Sequence, residues 1–130
     1  MQRMKKEIKT AAAPGAVGPY SQGIECTGRM AFVSGQLPID PATGKFAGED
    51  IVCQTEQSIK NIAEVLKAAN MSLDDVVMTR VLLSDISDFK TMNEVYAKYF
   101  KGVCPARAAF QVGALPMGAL VEIEAIAVRE

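Results

Sequence analysis

Apolar side chains recur at steps of three and four along Ile51, Thr55, Ile59, Ile62, Leu66 and Ala69, with Ala63 widening the stripe. That spacing predicts an amphipathic helix. Asp50 suits its N-cap and Asn70 the left-handed stop beyond its end. A second helix begins near Asp88, with Phe89, Met92, Tyr96 and Tyr99 on one face and Ser87 or Asp88 as cap. Elsewhere the period drops to two. Strands are predicted over 7–10, 22–27, 30–34, 76–83, 107–112 and 120–128. Gly28-Arg29 reads as a tight hairpin between the second and third strands. Pro38, Pro41 and Gly44 mark a loop before the first helix, and Pro105 a bend before the fifth strand. The order is a β-meander, then two β–α alternations and a final strand pair. It predicts one α+β domain over residues 1–130, with a mixed six-stranded sheet and both helices on one of its faces.

The strand faces carry a further message. Val77, Thr79, Val81 and Leu83 lie opposite Val76, Met78, Arg80 and Leu82, and both sets are largely apolar. The last strand sets Val121, Ile123, Ala125 and Ala127 against Glu122, Glu124, Ile126 and Val128. Two helices cover one face, so the other needs its own cover. A second copy of the chain is the simplest candidate.

Composition narrows the chemistry. The chain has 130 residues, 49% hydrophobic and 22% charged, which is a globular balance. Fourteen basic and fifteen acidic residues leave a net charge of -1, against a non-specific nucleic-acid or membrane binder. The histidine count is zero, which removes Ser-His-Asp and Cys-His catalysis and histidine-ligated metals. Cys26, Cys53 and Cys104 are too scattered for a zinc site or a disulfide framework and fit reduced thiols in a cytoplasmic protein. The basic start, Met1 to Glu7, leads into no apolar stretch and is not a secretory signal, and no run reaches membrane-helix length.

A few polar residues stand out. Arg107, in Cys104-Pro105-Ala106-Arg107-Ala108-Ala109-Phe110, is either a bidentate carboxylate or phosphate anchor or an ion pair at the rim of a subunit contact. Glu122 and Glu124 share a face of an apolar strand; each is solvated, paired with an arginine such as Arg80, or desolvated and able to move a proton. Gly15-Ala16-Val17-Gly18-Pro19-Tyr20-Ser21-Gln22-Gly23 lacks the spacing of a phosphate loop and reads as a turn with Tyr20 packed on the core. Ser34-Gly35-Gln36 either offers N–H groups to an anion or simply ends a strand. Asn93 reads as a solvated helical residue.

Together these motifs resemble the RidA (YjgF) family of imine and enamine deaminases from about Ala12 onward. The stretches that carry the resemblance are Gly18-Pro19-Tyr20-Ser21-Gln22-Gly23, Val33-Ser34-Gly35-Gln36-Leu37-Pro38, residues 88–96, and Pro105-Ala106-Arg107. They end with Leu115-Pro116 and Val121-Glu122-Ile123-Glu124-Ala125-Ile126-Ala127-Val128. The resemblance implies a chorismate-mutase-like α+β fold, a homotrimer, and sites in the clefts between subunits. It implies hydrolysis of 2-imino acids such as 2-iminobutanoate and 2-iminopropanoate, released as enamines by pyridoxal-phosphate enzymes, without metal or cofactor. By position, Arg107 would hold the substrate carboxylate and Glu122 would position or activate water. Tyr20, Ser34, Gly35 and Asn93 would line the cleft. Some members carry a cysteine two residues after the arginine; here it is Ala109, which keeps only a backbone role. The same likeness is carried by proteins proposed as endoribonucleases or translation inhibitors, and by partners of regulators, including purine control. The acidic balance argues against the RNA enzyme; a ligand-sensing regulatory partner stays open.

Overall fold

The computed structural model describes residues 5–130; residues 1–4, part of the basic start, lie outside the described residues. The strands are β1 (Lys5–Ile8), β2 (Gly23–Cys26), β3 (Arg29–Gln36), β4 (Ile39–Asp40), β5 (Lys45–Phe46), β6 (Val76–Leu83), β7 (Ala106–Gln111) and β8 (Val121–Arg129). The two α-helices are α1 (Ile51–Ala68) and α2 (Phe89–Tyr99). The architecture is α+β, with a mixed sheet and two helices.

α1 forms where the period of 3.6 is strongest. The Asp50 carboxylate accepts the Cys53 N–H at 2.7 Å, satisfying one free donor of the first turn. That bond holds the Asp50 carboxyl below its ordinary value. At the far end Asn70 takes a φ of 59° and the Met71 N–H reaches back to the Leu66 carbonyl. Ile59, Ile62 and Leu66 are wholly buried, each contributing roughly 1.5–3 kcal/mol relative to exposure. For α2 the expected cap is displaced. Asp88 makes no side-chain cap bond, and Asp85 instead accepts the Ser87 N–H at 2.9 Å to start the short 3-10 turn that leads into the helix.

The pairing of strands departs from the expected meander. The main sheet has four strands, in the order β3-β8-β6-β7, not six. β6 and β7 are parallel, joined by the α2 crossover, while β8 runs antiparallel between β3 and β6. β8 therefore does not pair with β7 as a final pair. Its Val121, Ile123, Ala125, Ala127 and Val128 are all buried, so the most apolar strand takes a central place. β1 and β2 form a separate ribbon; Ser21, just before β2, bridges to Ala106, and Lys5 Nζ of β1 donates to the Val76 carbonyl at 3.3 Å. Pro105, which has no N–H to donate, precedes that bridge and stops the ladder there. Nor do β2 and β3 form a hairpin. Gly28, at φ 135°, is needed because a Cβ there would lie 2.6 Å from the Arg129 carbonyl oxygen at the end of β8. The proline-rich stretch before α1 folds as the small β4–β5 hairpin.

Both helices cover one face of the sheet. α1 packs across β8 and β3 and against α2, over a core that includes Val33, Val81, Leu83, Ile123 and Ala125. The opposite face is open: Phe32 is 71% exposed, Met30 54% and Phe110 42%.

Candidate active site

Parity along the strands sorts the candidate residues. On β6, Thr79 lies beneath the helices, and its partner on β7 is Arg107. Two residues on, Ala109 pairs with Val81 and points to the same face. Leu82 has the opposite parity and sits on the open face, and its partner on β8 is Glu122. Arg107 and Glu122 of one chain therefore stand on opposite faces of the sheet.

On the covered face Arg107 is half-buried among aromatic rings. Its guanidinium carbon lies 4.9 Å from the Tyr96 ring centroid, 5.3 Å from that of Tyr20 and 5.6 Å from that of Phe89. Its Nη1 donates to Asn93 Oδ1 at 2.7 Å. Asn93 is thus a partner of the cation and not a solvated helical residue. Burial pulls the guanidinium down from its very high ordinary value, yet arginine stays charged. Among the described residues no carboxylate forms an ion pair with it. Beneath it Tyr96 is fully buried, with its hydroxyl 2.7 Å from Thr79 Oγ1 and its ring stacked on Phe100. Burial pushes the Tyr96 phenol up to about 12, so Arg107 meets a neutral ring.

The Tyr20 loop closes one side. The Tyr20 N–H donates to the Gly18 carbonyl, and the phenol oxygen accepts the Val17 N–H at 3.3 Å. Tyr20 is half-buried against Arg107, so it belongs to this cluster as well as to the edge of the core. A cleft of about 550 Å³ runs past Thr10, Gly18, Tyr20, Gln22 and Cys104. It stops short of Arg107, so cleft and guanidinium are neighbours, not one cavity. Burial pushes the Cys104 thiol up, which keeps it protonated.

On the open face Glu122 has a different setting. A bulge between Val33 and Gln36 lets Ser34 and Gly35 together oppose Glu124. Gly35 lacks the Cβ that would run into the Glu122 carboxylate. Glu124 is paired with Arg80 at 3.0 Å, whereas Glu122 makes no ion pair among the described residues. Ser34, Gly35 and Glu122 thus form one group, and Tyr20, Asn93, Arg107 and Ala109 another. Phe89, Tyr96, Thr79 and Gly18 complete the arginine group, although their sequence context did not mark them as site residues. The spacing of Phe89, Asn93 and Tyr96, four and then three apart, was the available signal. Among the described residues no group of three or more carboxylates or thiols could hold a metal ion.

Known proteins share this arrangement of sequence and fold. A sequence model of the family described as endoribonuclease L-PSP matches residues 10–129. A 2-iminobutanoate/2-iminopropanoate deaminase of Mus musculus is 49% identical over 97% of this chain and 93% of its own length. Among solved structures, RidA from an Antarctic Psychrobacter superposes with a TM-score of 0.75 at 45% identity, over 95% of this chain and 99% of that one. TdcF of E. coli with bound serine gives 0.76 at 42% identity, over 96% and 99%.

Proposed function

The chain belongs to the endoribonuclease L-PSP family, the RidA (YjgF) proteins, and on that premise we propose that it hydrolyses reactive 2-imino acids to 2-oxo acids and ammonia. The observation that carries this reading is the half-buried Arg107. Three rings and an amide oxygen surround it, and it lacks a carboxylate partner among the described residues. A desolvated cation without a counter-ion favours an anion brought from outside. The E. coli relative binds serine, which carries the same α-carboxylate that a 2-imino acid would offer.

The chemistry is within reach of these groups. A protonated imine is already electrophilic at C2. Water adds there and gives up a proton to Glu122, and a C–O bond forms as the C=N π pair moves to nitrogen. The proton then returns to the nitrogen; the hydroxyl gives its own proton to Glu122 as its electron pair forms the C=O bond and the C–N bond breaks, and the 2-oxo acid and ammonia leave. Arg107 holds the carboxylate so that C2 faces the water. Tyr20 and Asn93 keep the guanidinium in place, and Ser34 and Gly35 line the water side. Ala109 offers only its backbone. A positioned carboxylate acting as base contributes about 10²–10⁴-fold.

Because Arg107 and Glu122 have opposite parity, this reading requires two copies, the β7 edge that carries Arg107 in one against the glutamate face of the next. The uncovered apolar face of Met30, Phe32 and Phe110 supports such an assembly, and a closed ring of three copies is the form we infer. The test is ammonia release from freshly generated 2-iminobutanoate, wild type beside Arg107→Ala. Turnover in the wild type and a loss of about 100-fold or more in the variant are expected, since both orientation and charge pairing go. Equal rates would remove Arg107 from the mechanism, and an inert wild type would overturn the deaminase reading.

A further inference from the structure

Tyr20 comes one residue before a buried side chain that bonds to the segment leading into β7. Ser21 is 2% exposed, although it follows a loop whose residues are mostly exposed. Its N–H donates to the Pro105 carbonyl at 3.0 Å, and its Oγ donates to the Cys104 carbonyl at 2.5 Å. Its backbone forms the single bridge to Ala106. The residue before Ser21 is Tyr20 and the residue after Ala106 is Arg107, whose guanidinium carbon is 5.3 Å from the Tyr20 ring centroid.

We propose that Ser21 is a positioning residue: it clasps the Tyr20 loop to the start of β7 and so sets the phenol ring over Arg107. This rests on the reading of Arg107 as a carboxylate anchor. Pro105 explains why a side chain is needed. Pro105 has no N–H with which to carry the pairing on toward the loop, so the backbone ladder ends at this bridge. The Ser21 hydroxyl adds one more bond beyond that end, to the Cys104 carbonyl. Without it the Cys104 carbonyl loses its bond, and the loop keeps the Ser21 N–H bond to Pro105 and the Gln22 bonds to Thr10, Ala13 and Pro14 but loses the side-chain bond next to Tyr20.

The test compares Ser21→Ala and Ser21→Thr, each in the wild-type and the Tyr20→Ala background. Circular dichroism and light scattering confirm folding and assembly. Ser21→Ala is expected to raise KM for 2-iminobutanoate, and Kd for 2-oxobutanoate, about tenfold, with kcat changed less than about twofold. Ser21→Thr keeps the donor and should recover most of the loss. In the Tyr20→Ala background Ser21→Ala should change KM less than about twofold, because the ring through which it acts is gone. A merely structural serine would lower thermal stability and leave KM unchanged, or its effect would add in full to that of Tyr20→Ala; either result overturns the proposal. If Ser21→Ala does not assemble, Ser21→Cys, with its weak donor, is read in its place. The Nε–Hε resonance of Arg107, shifted by the Tyr20 ring, gives a measure free of any ligand. It should move in Ser21→Ala toward its position in Tyr20→Ala. A wild type that binds no 2-oxo acid would count against the anchor reading, while an unmoved resonance would count against the clasp itself.

Discussion

The two faces of the four-stranded sheet are both apolar, yet only one is completed within the chain. On the helix side Thr79, Val81 and Leu83 are wholly buried, and the cation they neighbour, Arg107, rests on aromatic rings. On the other side Phe32 is 71% exposed in the same strand whose Val33 is 4% exposed. The helix side is already buried within the chain, which suits a group that must hold a ligand's charge in a fixed orientation. The open side carries Glu122, whose carboxylate fills the space a Cβ at Gly35 would take and makes no ion pair among the described residues. In this account an anchor and a base are kept apart in the folded chain and meet only when copies assemble. Burying a side chain such as Phe32 contributes roughly 1.5–3 kcal/mol, so in the proposed assembly the open face would also drive the meeting.

The comparison breaks first at its apolar side. Phe32→Asp places a charge in the middle of the open face, where burial without a partner costs several kcal/mol. Light scattering should then return a monomer, imine hydrolysis should fall by about 100-fold or more, and the helical circular dichroism should persist, because Phe32 supports nothing in the core. An assembled, active Phe32→Asp protein would show that this face is not the contact.

Next come the two glutamates of β8. Glu122→Gln keeps the size of the group but loses the basic oxygen, so kcat should fall by about 10²-fold or more with ligand binding little changed. Glu124→Gln breaks the half-exposed pair with Arg80, and its effect should show first in thermal stability or assembly, at under about 1 kcal/mol. Loss of turnover in an assembled Glu124→Gln, with Glu122→Gln unaffected, would reverse the two roles.

A further effect, on stability at high pH and not on turnover, lies beneath the anchor. Tyr96 binds its proton more tightly folded, near 12, than unfolded, near the ordinary 10. The neutral phenol's stabilising contribution is thus complete below about pH 10 and is lost as pH rises from 10 to 12, in all about 2–3 kcal/mol. Tyr96→Phe lacks this titration. Denaturant midpoints at pH 9 and pH 11.5 should show the wild type losing its advantage over the variant. A constant difference would mean that Tyr96 ionises freely in the folded protein.

Much of this was legible in the chain. The stripe from Ile51 with Asp50 before it and Asn70 after it marked α1, because caps and period are local signals. The 76–83 strand was bounded correctly, since alternation ends where Ser84 begins a turn. Alternation also put Glu122 and Glu124 on one face and signalled that both sides of the sheet are apolar. It could not name neighbours. Period two fixes the face of a residue but not its partner strand, so β8 was read as paired with β7 and Gly28 as a hairpin turn, when it makes room for the Arg129 carbonyl. The ring cage around Arg107 was hidden for the same reason: Phe89 and Tyr96 come from α2 and Tyr20 from a distant loop. The resemblance supplied Arg107 and Glu122 as a pair, whereas their opposite faces emerge only from the register.

The composite site is tested most directly by mixing two defective chains. Arg107→Ala and Glu122→Gln are each purified, shown to be inactive, and allowed to exchange subunits at equal concentration, with a mass tag on one to prove exchange. If each site takes its arginine from one copy and its glutamate from the next, random co-assembly leaves about a quarter of the sites with both groups intact, and about a quarter of wild-type turnover should return. If the mixed assemblies form and remain as inactive as their parents, the two residues act within one chain or not together, and the account is wrong.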